Sequence, residues 1–311
     1  MIGRRQYLKS AGATGAALLT AGCIGQFGDQ PYNNGEVNFL MSPTEPQDLM
    51  TSQYAPVGDQ LESATGQPVD LRYSRSYSTI LQALGSGNGD IAETGPFAAA
   101  LGVKADKIEI ALQRHAFGSW TYHSVIVTRE DTDIESVEDL AGKKIAFADI
   151  TSASGSLYPL FMIKDAGLNI GEAPGSSEGA DFEGSWSSHA QAAEALKAGQ
   201  VDAAGVGRFI VWDYGADDYQ EGIREVDRES GIPRAPMIVS PTLDDEEKTT
   251  LIDAMKNAPD SMYLGADGEA DTDDDLWFDG VRPADLSTYQ PVVDVANTLG
   301  LSTDLLDQGT A

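Results

Sequence analysis

The sequence predicts an α/β protein of two lobes joined by hinge strands. Strand-like apolar runs alternate with helix-like ones along most of the chain. Two of the strand-like runs sit where one alternating series gives way to another and where the chain returns. Several helices are entered through turns of small polar residues. With 311 residues the chain can bury a large core and divide into two lobes.

The elements follow in order. Val37–Met41 reads as a buried strand ended by Ser42-Pro43-Thr44-Glu45-Pro46, and a helix then runs through Leu49, Tyr54, Val57 and Leu61 to Gly66. Val69–Tyr73 is a second strand and Tyr77–Leu84 a second helix. Asp90–Glu93 is a short strand, after which Pro96 in Thr94-Gly95-Pro96 fixes a helix start, because proline suits the first helical position. Ile108–Leu112 and Tyr122–Thr128 are further strands, the latter the expected crossover. A second series begins with a short helix from Ile134 and the strand Lys144–Ala148. Beyond a surface loop, Gly171–Gly179, the run from Phe182 leads into a helix ending at Ala198. Val201–Gly207 is a buried strand, Pro236–Ser240 the expected return crossover, and helices at 244–257 and 283–299 close the chain. On this reading residues 36–126 with 237–305 form one lobe and 127–236 the other.

The most informative stretch is Asp149-Ile150-Thr151-Ser152-Ala153-Ser154-Gly155-Ser156. It follows the 144–148 strand and precedes a helix-like run through Leu157, Leu160, Phe161 and Ile163 to Gly167. Pro159 lacks an N–H, so it fits where that donor is orphaned, in the first helical turn. The loop then offers hydroxyls, free backbone N–H groups and a positive helix end together, which describes an anion seat. It holds no Lys or Arg, so binding there rests on hydrogen bonds and dipoles. An ordinary capped turn reads the same way. Four polar helix starts favour the anion seat: Ser42/Thr44, Thr94/Gly95, Ser152/Ser154 and Ser188/His189. They face one another across a cleft if the first two lie in one lobe and the last two in the other.

Charge narrows the partners. The chain has 49 acidic and 20 basic residues, a formal −29. Removing the first 22 residues takes away Arg4, Arg5 and Lys9 and leaves 17 basic residues, a formal −32. Such an excess excludes electrostatically driven nucleic-acid binding and disfavours direct binding to an anionic membrane. An apolar content of 41% argues against disorder. The pattern is that of a halophile's solvated surface, whose self-repulsion is screened at molar salt, where the Debye length is about 3 Å.

The single cysteine, Cys23, rules out an intramolecular disulfide. Arg4-Arg5-Gln6-Tyr7-Leu8-Lys9 forms a twin-arginine export pattern, and the small, apolar run after it ends in Leu19-Thr20-Ala21-Gly22-Cys23, which resembles a lipobox. Ser10–Gly22 is too short to span a bilayer. The expected product keeps Cys23 as a lipidated N-terminus on the outer face of the membrane, with residues 23–35 as a tether.

Four segments in register then resemble one family. Arg75–Leu84 resembles its Tyr-led helix, Gly89–Pro96 its Gly-Asp-Ile strand and turn, Tyr122-His123-Ser124 its hinge strand, and Asp149-x-x-Ser152-Ala153-Ser154-Gly155 its Asp-x-x-Ser-Thr-Ser-Gly loop. Across roughly Val37–Leu301 the chain resembles the phosphonate-, phosphite- and phosphate-binding proteins of ABC importers, here from a halophilic archaeon. The resemblance implies a two-lobed, type II periplasmic-binding-protein fold and a non-enzymatic, monomeric carrier. The carrier works without cofactor or metal and delivers its ligand to a membrane permease and its ATPase. It implies that Ser152, Ser154 and the Ala153 N–H grip the phosphoryl oxygens. Tyr77 and Tyr122 add phenolic donors, His123 an imidazole, Thr94 a contact from the first lobe and His189 one from the second. Ala153 replaces a family threonine, and Ala190 replaces the glutamate that neutralises an aminoalkyl ligand, which favours an unsubstituted or methyl-bearing oxyanion.

Two other readings stay open: a type II binding protein for a sulfonate, molybdate or organic anion, and a small transferase on the same fold. The sequence has no nucleotide fingerprint. His123 and Ser124, adjacent on a strand, point to opposite faces and cannot act as base and nucleophile. His115, Trp186 and Trp212 read as structural, Arg75 and Arg208 as exposed, and the acidic run 267–275 as a solvated loop lacking calcium-loop spacing.

Overall fold

The computed structural model describes residues 31–308. Arg4, Arg5, Cys23 and the expected tether up to residue 30 lie outside them. The end of that tether is structured: α1 (Tyr32–Gly35) docks through the buried Tyr32, whose N–H donates to Glu247 Oε1 at 2.7 Å.

The first lobe is built from β1 (Val37–Met41), α2 (Gln47–Thr65), β2 (Val69–Tyr73), α3 (Tyr77–Gly85), β3 (Ile91–Glu93), α4 (Pro96–Lys104) and β4 (Glu109–His115). The second holds β5 (Thr121–Arg129), β6 (Lys144–Phe147), α5 (Tyr158–Asp165), β7 (Glu183–Trp186), α6 (His189–Lys197) and β8 (Ala203–Gly207). A hairpin of β9 (Trp212–Asp213) and β10 (Asp218–Tyr219) and the long β11 (Ile223–Pro233) complete it. The chain then returns through β12 (Pro236–Val239), α7 (Asp245–Lys256), β13 (Gly280–Pro283), α8 (Gln290–Leu299) and α9 (Leu305–Gln308).

Beside the two-stranded β9–β10 hairpin, two large sheets result, ordered β13-β4-β12-β3-β1-β2 and β11-β5-β8-β6-β7. In the first, β1 pairs in parallel with β2 on one side and β3 on the other. In the second, β6 pairs in parallel with β7 and β8 in the same way. Successive crossovers thus leave β1 and β6 in opposite directions, creating a switch point beside each. Ligand crevices form beyond the carboxyl ends of strands at such points. Ser42 and Thr94 follow β1 and β3, while the Ser152 loop and Phe209 follow β6 and β8, so both crevices open onto one cleft.

Several expectations are corrected. Strand β5 lies wholly in the second sheet, paired with β8 and β11, so the chain crosses before residue 121 rather than at 126. The return falls between β11 and β12, and β12 belongs to the first sheet. The linkers are therefore residues 116–120 and 234–235, held together by the Arg234 N–H on the Trp120 carbonyl (3.0 Å) and the Arg114 N–H on the Ala235 carbonyl (3.2 Å). Strands β7, β11 and β13 were not expected. Residues 280–283 pair with β4, and α8 starts only at Gln290, where Pro291 occupies the first turn.

The Ser loop folds as one wide helical turn, Ala153–Leu157, leading directly into α5. The Leu157 N–H bonds back to the Ser152 carbonyl at 3.0 Å, five residues away. Pro159 cannot donate, which releases carbonyls of this turn for other partners. The Ser154 carbonyl accepts from Ser124 Oγ (2.7 Å) and the Gly155 carbonyl from the Ala148 N–H (2.9 Å), tying the turn to β5 and to the end of β6. Gly155 is needed at this close approach: a Cβ there would lie 2.2 Å from Ala148 Cβ and 2.7 Å from His189 Cε1. Gly155→Ala is predicted to destabilise the fold by roughly 1–3 kcal/mol, as overpacking of a tight site does. A chemical denaturation curve matching wild type would contradict this packing.

Candidate functional site

The cleft between the sheets closes over a cavity of about 70 Å³. That is several times the ~10–15 Å³ a single water needs, and it suits an ion of a few heavy atoms. From the first lobe Ser42, Thr44, Tyr77, Glu93, Thr94 and Gly95 line it; from the second come Tyr122, Ser152, Ala153, Ser154, His189 and Phe209. Arg114 and the linker residue Arg234 complete its polar wall, and Trp277 and Phe278 part of its apolar one.

Helix starts converge here. Tyr77 opens α3, Pro96 opens α4 after the Gly95 cap, Ala153 opens the wide turn after the Ser152 cap, and His189 opens α6 after the Ser188 cap. Each contributes unsatisfied N–H groups and the positive end of its dipole. Among the described residues, no hydrogen bond uses the Ala153 N–H, the Ser154 N–H is directed at the Tyr122 hydroxyl, and the buried Thr94 hydroxyl has no partner.

A relay of hydrogen bonds orients the central hydroxyl. The Gly207 N–H donates to His189 Nδ1 (3.2 Å), so the neutral ring carries its proton on Nε2 and donates it to Ser152 Oγ (3.1 Å). The same oxygen accepts the Gly155 N–H at 3.1 Å. With both lone pairs occupied, Ser152 has only its O–H left to offer, and the cavity receives a donor. His189 thus works through Ser152, its Nε2 proton already committed. The phenols are also held as neutral donors: burial raises the Tyr77 pKa, and burial pushes Tyr122 up to about 12.

The charges partly cancel. Arg114 forms an ion pair with the buried Glu93, donates to the Tyr54 hydroxyl (3.2 Å) and lies over the Phe278 ring. Glu93 Oε1 also accepts from the Ser42 N–H (3.0 Å) and hydroxyl (2.7 Å). Neither residue of this pair was singled out from the sequence, nor was Arg234, which resembles an ordinary exposed arginine beside Ala235-Pro236. The acidic run near 270 acts locally: Asp274 Oδ2 accepts from Ser52 Oγ (2.9 Å) and the Ala266 N–H (2.8 Å), pinning the loop that carries Trp277 and Phe278 to α2.

His123 is the expected site residue that the fold directs elsewhere. Tyr122 faces the cavity, so its neighbour on β5 faces the opposite way. The His123 ring lies in an outer pocket with Nδ1 2.9 Å from Ser230 Oγ. Arg75 and Trp186 line a separate groove, and Trp186 stacks on Phe147. Phe209 on Trp277, edge to face at 4.7 Å, bridges the lobes at the mouth, and Phe117 of the linker stacks on Tyr214 at 4.1 Å.

Burial pushes the His189 imidazole down to about 4 from an ordinary 6.5. Between those values the unfolded chain binds more protons than the folded one. Stability is therefore complete above about pH 6.5 and falls as pH drops towards about 4, by on the order of 3 kcal/mol. Denaturation of wild type and His189→Gln at several pH values tests this; an equal acid slope in both would contradict it.

Comparison with known proteins identifies the family and the fold. Residues 39–289 match the family described as the periplasmic substrate-binding protein of phosphonate ABC transporters. The phosphate-import protein of Mycolicibacterium smegmatis is 30% identical over 175 residues, 53% of this chain and 54% of that protein. The phosphonates-binding periplasmic protein of Escherichia coli is 29% identical over 132 residues, 41% and 39% of the two chains. The matches thus span about half or less of these relatives. Among solved structures, a binding protein component of an ABC phosphonate transporter from Pseudomonas aeruginosa has a TM-score of 0.71 at 23% identity, covering 90% of this chain and 88% of that one. PhnD1 of Prochlorococcus marinus, in complex with methylphosphonate, has a TM-score of 0.68 at 13% identity, covering 86% and 98%. With the family model matched along most of its length, the chain belongs to the periplasmic substrate-binding proteins of phosphonate ABC transporters.

Proposed function

We propose that the chain captures a small phosphorus oxyanion (a phosphonate, phosphite or phosphate) in the interlobe cleft and delivers it to an ABC permease and its ATPase. The observation that carries this reading is the convergence on one cavity of the Ser152 hydroxyl, aimed by His189, with the free Ala153 N–H and the Ser154 N–H beside Tyr122. Thr94 and Tyr77 supply donors from the other lobe. A tetrahedral oxyanion accepts from several directions at once, which matches donors drawn from both sheets. Capture needs no bond-making step, and the chain acts as a monomeric carrier.

The reading extends to delivery. The twin-arginine pattern at Arg4-Arg5 would export the chain, and Cys23 would anchor it by a lipid on the outer face of the membrane. No helix among the described residues is long and apolar enough to cross a membrane. The acidic excess supports an extracellular setting of high salt, and the Ala190 position favours ligands without an ammonium group.

Isothermal titration in molar KCl with phosphite, phosphate, methylphosphonate, sulfate and molybdate tests the proposal. Binding confined to the phosphorus oxyanions is expected; binding of sulfate or molybdate alone would overturn the ligand class. Ser152→Ala removes a hydrogen bond to a charged group and is expected to weaken methylphosphonate by about 1.5–3 kcal/mol. An unchanged affinity would remove the Ser loop from the site.

A further inference from the structure

Two cavities meet at Arg234. One is the oxyanion cleft; the other opens outward between His123, Arg208 and the Phe117–Tyr214 stack. Tyr122, Phe209 and Arg234 wall both. Arg234 is fixed by Nε on the Ser119 carbonyl (2.9 Å) and lies against the Phe117 and Tyr122 rings at 5.3 and 5.9 Å. A guanidinium has five N–H donors, so four of them remain. Arg208 lies 4.1 Å from the Trp212 ring centroid, which leaves the edge of its guanidinium available.

Two unpaired cations meet at this junction. Among the described residues, no carboxylate lies within ion-pair distance of Arg208 or Arg234, which differ in this from the cleft's other arginine, the Glu93-paired Arg114. Glu93 is the sole acidic residue lining either cavity, and Arg114 and Ser42 already occupy it. An anion bound in the cleft meets Arg234 on one side, and a second acidic group beyond it meets Arg208. A cationic substituent in the same direction faces two guanidinium groups and no free carboxylate.

We infer that the outer pocket is a second anion subsite, and that the chain takes phosphonates whose short substituent ends in another acidic group, such as a phosphonocarboxylate. The phosphonate sits on the Ser152 turn, the carboxylate reaches Arg208, and Arg234 lies between them. This deepens the oxyanion reading above and rests on it.

Titration of the protein with methylphosphonate, phosphonoacetate and 2-aminoethylphosphonate tests the subsite. Phosphonoacetate is expected to bind at least about tenfold more tightly than methylphosphonate, the equivalent of ~1.4 kcal/mol, with aminoethylphosphonate weakest. Arg208→Gln should abolish that advantage and leave methylphosphonate unchanged, while Arg208→Lys should retain part of it. Methylphosphonate binding with no preference for phosphonoacetate, or a preference that survives Arg208→Gln, would overturn the subsite alone. Failure of every phosphorus compound to bind would overturn the proposed function and the subsite with it.

Discussion

The site depends on the relay from the Gly207 N–H through His189 to Ser152. Serine hydroxyls rotate freely, and one facing a cavity is as ready to accept as to donate. Here the imidazole tautomer, set by a backbone N–H at the end of β8, fills one lone pair of Ser152 Oγ, and the Gly155 N–H fills the other. What remains is a donor. Burial keeps the imidazole neutral, so the relay does not change state near neutral pH. The wide turn at Ala153–Leu157, the release of its carbonyls by Pro159 and the bare Cα of Gly155 all hold Ser152 within reach of that ring.

Around this point the two sheets repeat one device. Each has a parallel strand flanked by crossovers in opposite directions, and each sends small polar residues from the carboxyl ends of its strands into the same cleft. On the proposed function, selectivity would rest on charge balance. The Arg114–Glu93 pair is buried but self-neutralising, and it positions Ser42 more than it attracts an anion. On the same proposal, hydrogen bonds from helix starts would supply most of the polar grip, and Arg234 adds a positive charge at the linker.

Much of the fold was legible in the sequence because its central strands are buried on both faces. Val37–Met41, apart from the Asp90-bonded Asn38, and Ala203–Gly207 are apolar or small, and their limits were read almost to the residue. The strands that escaped notice lie at sheet edges. Strand β11 carries the charged Arg224, Glu225, Asp227, Arg228 and Glu229, half-buried or exposed, and β7 includes Gly184 and Ser185 with alternating exposure. The Ser loop, Thr94, Tyr77, Tyr122 and His189 were legible because helix-start chemistry is local. His123 was misplaced because the family resemblance was carried along β5 without applying the strand's own alternation, which sends Tyr122 inward and His123 outward. Arg114, Glu93 and Arg234 were not legible: they meet only through the pairing of β3, β4 and β12, which a single sequence does not specify.

The most direct test of the central claim is a crystal structure of the chain with methylphosphonate bound. The account predicts phosphonate oxygens at about 2.6–3.1 Å from Ser152 Oγ, the Ala153 and Ser154 nitrogens and Thr94 Oγ1. It also predicts that His189 Nδ1 still accepts from Gly207. A ligand seated away from the Ser152 turn, or a His189 ring turned to hold the anion itself while Ser152 faces elsewhere, would contradict it.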